Sequence, residues 1–83
     1  MWHDIFDVLA NSTSSLTTRE IASRLTVKIG VEITPKQVYS AIAYQWRKEN
    51  LAIFGEFDNV LKQYKYKVDV EYYQHAINGK FGV

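Results

Sequence analysis

Few side chains in this chain could make or break bonds. His3 and His75 are its only imidazoles, cysteine is absent, and no carboxylate stands at a ligand-like spacing from either histidine. No metal site is expected from that set. Asn78-Gly79-Lys80-Phe81-Gly82 has glycine and lysine but not the spacing or the strand-to-helix context of a phosphate loop. No serine occupies a nucleophile elbow. A chain of 83 residues would also struggle to enclose a pocket of a few hundred Å³ and keep a core. The sequence therefore predicts no enzyme, no cofactor and no small-molecule substrate.

The remaining chemistry is charge. The net charge of +1 excludes a strongly basic nucleic-acid coat, but it is unevenly spread. Residues 1–35 sum to −1, residues 36–67 to +3 and residues 68–83 to −1. Lys36, Arg47, Lys48, Lys62, Lys65 and Lys67 make the middle segment basic. The plain account of such a cluster is a solvated helix face. Lysines alternating with tyrosines at 64–67 are equally the wet side of a hairpin, or protection against edge pairing.

These residues must be held by elements that the sequence punctuates clearly. Trp2, Ile5, Phe6 and Leu9, with Val8 beside Ile5, predict a helix over Trp2 to Ala10, with Asp4 at its positive end. Asn11 and the Ser/Thr run after it predict a loop. Thr17-Thr18-Arg19-Glu20 reads as a capping box opening a second helix, with Ile21, Ala22, Leu25 and Ile29 inward and Gly30 as its stop. Thr26-Val27 weakens its last turn, so an end near Leu25 is an alternative.

Thr34-Pro35-Lys36-Gln37 repeats the start signal for a third helix running to about Glu49. Val38, Ala41, Ile42, Gln45 and Trp46 fall on one side of it; Lys36, Ser40, Ala43, Tyr44 and Arg47 fall on the other. Asn50 suits its left-handed end. Leu51 to Phe57 and Val60 to Val68 change to strand composition and predict a β-hairpin turning at Asp58-Asn59, with several residues at its tip. Trp46, Tyr64 and Tyr66 are expected in the core rather than on a stacking platform, and only one of Tyr39 and Tyr44 is expected to share the exposed side with Arg47. Asp69 suits the cap of a short fourth helix, Val70 to Ile77.

The class is α+β and mostly helical, in a single domain over 1–83: a core and hairpin over 1–68 and a helical extension over 69–83. At 47% hydrophobic content, with four Phe, two Trp and six Tyr, packing must supply the stability and an ordered chain is expected. The start lacks the features of a signal peptide and no run approaches a membrane span, so a cytoplasmic or nucleoid-associated location and no membrane partner are expected.

Leu16-Thr17-Thr18-Arg19-Glu20-Ile21-Ala22-Ser23-Arg24-Leu25, then Thr34-Pro35-Lys36-Gln37-Val38-Tyr39-Ser40-Ala41-Ile42, then Leu51-Ala52-Ile53-Phe54 and Tyr64-Lys65-Tyr66 follow a known order. The stretch resembles the winged helix-turn-helix superfamily, over residues 2–68, about four-fifths of the chain. It departs from the common pattern in the longer Leu25-to-Thr34 connection and in Asn50 where glycine is frequent. The resemblance implies a three-helix core with a β-hairpin wing, and a small strand opened by an apolar residue before the second helix. It also implies a double-stranded DNA partner. The third helix would enter the major groove with Lys36, Gln37, Ser40, Tyr44, Arg47 and Lys48. The wing would lay Lys62, Gln63 and Lys65 on the backbone.

Those types suit the roles: glutamine can pair with adenine, arginine with guanine, and lysine with phosphate. The alternative is an interaction module of the same fold that binds protein and not DNA, which the weak net charge and abundant tyrosine favour. Val70, Tyr73 and Ile77 are candidate homodimer contacts, unless the last segment folds back on the first helix.

Overall fold

In the computed structural model, residues 1–49 and 52–69 are described. The chain forms three helices, α1 (Trp2–Ala10), α2 (Thr18–Ile29) and α3 (Pro35–Arg47), then an antiparallel hairpin of β1 (Ile53–Asp58) and β2 (Gln63–Val68). The architecture is α+β, as expected. The fourth helix, Val70, Tyr73 and Ile77 among it, and the Asn50 helix stop lie outside the described residues.

Both capping boxes form. The Thr17 hydroxyl accepts from the Glu20 N–H at 3.2 Å, and the Glu20 carboxylate accepts from the Thr17 N–H at 3.0 Å. At α3 the Gln37 N–H donates to Thr34 Oγ1 at 3.2 Å, and the Thr34 N–H donates to Gln37 Oε1 at 2.8 Å. These pairs satisfy N–H groups that a helix start otherwise leaves orphaned. Helix α2 does not end near Leu25. Thr26 completes its last turn by donating to the Ala22 carbonyl at 2.9 Å, and its hydroxyl also accepts from the Ile33 N–H at 3.0 Å. That second bond ties the long connection back to the helix, and Gly30 closes it at φ 83°.

The core is one cluster: Ile5, Val8 and Leu9 from α1, Leu16, Ile21, Ala22 and Leu25 around α2, Val38 and Ile42 from α3, and Ile53, Tyr66 and Val68 from the hairpin. Ile29 is not part of it. It stands 41% exposed because the last turn of α2 runs past the elements that cover Leu25. Lys28 on that turn instead reaches α1, 3.2 Å from Asp7 and 3.9 Å from Asp4.

Leu16 makes a one-residue antiparallel bridge to Tyr66, N–H to carbonyl in both directions at 3.0 and 2.7 Å. This bridge lies on the side of β2 away from β1. Strand β2 begins later at the tip than the sequence suggests, at Gln63 rather than Val60, whereas β1 runs one residue further, to Asp58. Val60 and Leu61 belong to the turn, because Asp58 Oδ1 accepts both their N–H groups, at 2.8 and 2.9 Å. Lys62 then turns at φ 57° and donates its N–H to the Asp58 carbonyl at 2.8 Å. Helix α3 stops earlier than Glu49, whose φ of 62° already leaves the helix.

Candidate nucleic-acid interface

Period 3.6 sets what α3 presents. At about 100° per residue, Lys36, Ser40, Ala43 and Arg47 fall within a strip about 60° wide, with Tyr44 at its margin. Val38 and Ile42 face the core, so the opposite strip faces solvent: Lys36, Ser40, Tyr44 and Arg47 are all exposed. Tyr39 is exposed as well, at 52%, so both helix tyrosines stand outside the core. Tyr39 lies on the side of α3 that faces the hairpin, two turns before Trp46 on the same side.

The wing contributes the other bank. Strand parity puts Ile53, Gly55 and Phe57 on the same face as Tyr64, Tyr66 and Val68. The inner half of that face is core. Its outer half overhangs α3, and there Phe57 is 49% and Tyr64 53% exposed, so Tyr64 is not the core residue the sequence predicts. Leu16 pins β2 at Tyr66, where the face turns from buried to exposed. Between the overhang and the first turns of α3 runs an open groove of about 440 Å³. Lys36 and Tyr39 line it from the helix, and Phe57, Lys62, Gln63 and Tyr64 line it from the wing.

The groove thus joins three of the residues named from sequence, Lys36, Lys62 and Gln63. Ser40, Tyr44 and Arg47 continue the same helix strip beyond it. Lys48 caps α3 and sits over the Tyr44 ring, 5.4 Å from its centroid. Lys65 is only partly exposed and pairs with Asp58 at 3.7 Å, on the far face of the wing. Gln37 has a second duty. Its Oε1 is held in the capping box, so an intact cap leaves only amide N–H donors for a base, not the donor-and-acceptor pair that adenine takes.

Electrostatics within the site favour anions. Among the described residues, the groove lining carries two lysines and no carboxylate. Asp58 is engaged at the wing tip, and its carboxyl is held below the usual aspartate range first by the Leu61 N–H, then by Val60 and Lys65. Glu20 is held low chiefly by the Thr17 N–H. Tyr66, beneath the groove, has its phenol pushed up by burial, with Tyr39 and Tyr64 adding to the rise. Three tyrosines therefore crowd one spot.

Sequence reading missed the aromatic lining. Tyr64 shares its parity with Tyr66 and looks equally buried; the missing signal was how far the helices extend under the hairpin. Among the described residues, no group of three or more His, Asp or Glu could hold a metal ion, and no helix is long and apolar enough to cross a membrane. No protein-family model matches the chain, and neither a curated protein nor a solved structure matches it.

Proposed function

We propose that this chain is a small winged-helix protein that binds double-stranded DNA, as a transcriptional regulator or a phage or plasmid DNA-binding factor. Helix α3 enters the major groove and the hairpin rests on the backbone. One observation carries the reading: Lys36 of α3 and Lys62 of the wing line one groove free of carboxylates, continuous with the exposed strip that ends at Arg47. Cations that neutralise phosphates need this convergence, because each contact releases counterions and affinity adds along one surface. A monomer of this size offers about four to six such contacts, so specific sites require a second copy, a tandem site or a partner.

A mobility-shift assay at low salt tests the reading. Native protein shifts duplex DNA, and Lys36→Ala and Arg47→Ala weaken the shift. Failure of the native protein to bind any duplex at low salt overturns it.

The second reading, a module that binds protein, is favoured by the apolar wing tip, where Val60 is 89% and Leu61 49% exposed. A complex that buries α3 and survives about 0.5 M salt selects that reading, since phosphate-dominated binding collapses there.

A further inference from the structure

A fully paired duplex offers phosphates and base edges, yet the groove offers more than cations. Tyr39, Phe57 and Tyr64 each expose about half of their surface into or beside it. Phe57 and Tyr64 are locked edge to face, with ring centroids 5.2 Å apart and planes at 77°. Gly55 lets the Tyr66 ring beneath them lie close over the strand, since a Cβ there would stand 3.1 Å from Tyr66 Cε1. Phe57 and Tyr64 therefore brace each other across the strand pair before any ligand arrives.

A paired, stacked base hides its faces and gives these rings nothing to stack on. An unpaired nucleotide offers a flat π-face beside a phosphate, which matches aromatic rings flanked by Lys36 and Lys62. The absence of carboxylates from the lining removes the repulsion that would oppose that phosphate. We infer that the groove between α3 and the wing holds one unstacked nucleotide, its base on Tyr39 and Tyr64 and its phosphate at Lys36 and Lys62. The inference rests on the DNA-binding reading and adds to it the kind of DNA preferred: a duplex carrying a bulge, a fork or a flipped base.

The test compares a fully paired duplex with the same duplex carrying one bulged 2-aminopurine. The expected result is about tenfold tighter binding to the bulged DNA, in line with one stacked base, with the probe's fluorescence quenched on binding. Tyr64→Leu and Tyr39→Leu, both at half-exposed positions, abolish the preference and the quenching, and lower affinity for the bulged DNA about tenfold more than for the paired duplex. Circular dichroism confirms that each variant is folded, and either one alone suffices. Equal affinity for the two DNAs with an unquenched probe overturns the inference and leaves duplex binding standing. An equal loss on both DNAs in the variants also overturns it, by assigning the rings to duplex packing. Binding to neither DNA overturns both readings together.

Discussion

The indole N–H of Trp46 donates to the carbonyl of Ile53 at 2.7 Å. The bond joins the last turn of α3 to the first residue of β1. Ile53 pairs with Val68, while the Asp69 N–H donates to the Ala52 carbonyl at 2.7 Å. Ladder alternation therefore points the Ile53 carbonyl away from β2, and Trp46 is the group that meets it. The Trp46 ring also packs against Tyr66, with centroids 6.1 Å apart. One side chain thereby sets how the wing stands relative to the helix.

Trp46→Phe keeps most of the ring contact and removes the donor. An unmet carbonyl at a buried residue costs about 1–3 kcal/mol, so thermal unfolding of the variant should occur several degrees lower. Duplex affinity should fall in the folded variant too, because the two lysine-bearing banks lose their fixed separation. Unchanged melting would show that the bond contributes nothing.

The α2 capping box gives a pH-dependent prediction. Glu20 is held below its ordinary value in the folded state, mainly by the Thr17 N–H. Its contribution is fully present above the unfolded glutamate value and is lost as pH falls through the lower folded one. Melting temperature should drop more steeply below about pH 4 in the native chain than in Glu20→Gln, whose amide oxygen accepts the same bond without titrating. Thr17→Ala should cost about 1 kcal/mol near neutral pH, or about 4–8 °C for a domain of this size.

Gly55 and Gly30 should respond to alanine for different reasons. At Gly55 the new Cβ meets the Tyr66 ring at 3.1 and 3.3 Å, and Tyr66 is buried and bridged to Leu16, so it cannot yield. A loss of about 1–3 kcal/mol is expected from that overpacking. Gly30→Ala meets no atom within 4 Å. Its loss of about 1 kcal/mol comes only from a left-handed backbone, here at φ 83°. Urea denaturation of both variants separates the cases, since only Gly55→Ala should also disturb near-ultraviolet aromatic signals.

Salt dependence discriminates among the cations. Lys36→Ala and Lys62→Ala should each reduce the slope of log affinity against log salt by about 1. Lys65→Ala should change it less, because Lys65 already pairs with Asp58 at 3.7 Å on the far face. Gln37→Ala should lower stability through the lost cap rather than relax base preference, which a melt and a competition assay read separately. Equal slopes for all three lysine variants would contradict the geometry of the groove.

The backbone plan was legible because its signals are local. Thr17 with Glu20, Thr34 with Gln37, and Gly30 each act within four residues, so spacing alone locates the helix ends. The exposed strip from Lys36 to Arg47 follows from the same periodicity. Tyr64 and Ile29 were misread because burial depends on how far a neighbouring element extends, and periodicity carries no such length. Val60 and Leu61 were misread as strand because their apolarity outweighed Asp58, whose carboxylate draws both into the turn.

The hairpin divides its obligations along its length. Ile53, Tyr66 and Val68 answer to the helices, whereas the stretch from Phe57 through Tyr64 answers only to its own turn and to whatever it meets outside. Asp58 builds that turn from its own carboxylate and carbonyl, so the distal segment shapes itself without help from the interior. Binding preference can therefore drift there while foldedness stays under separate control. On the proposed DNA-binding reading, those eight residues form a cassette whose exchange redirects recognition without renegotiating the scaffold.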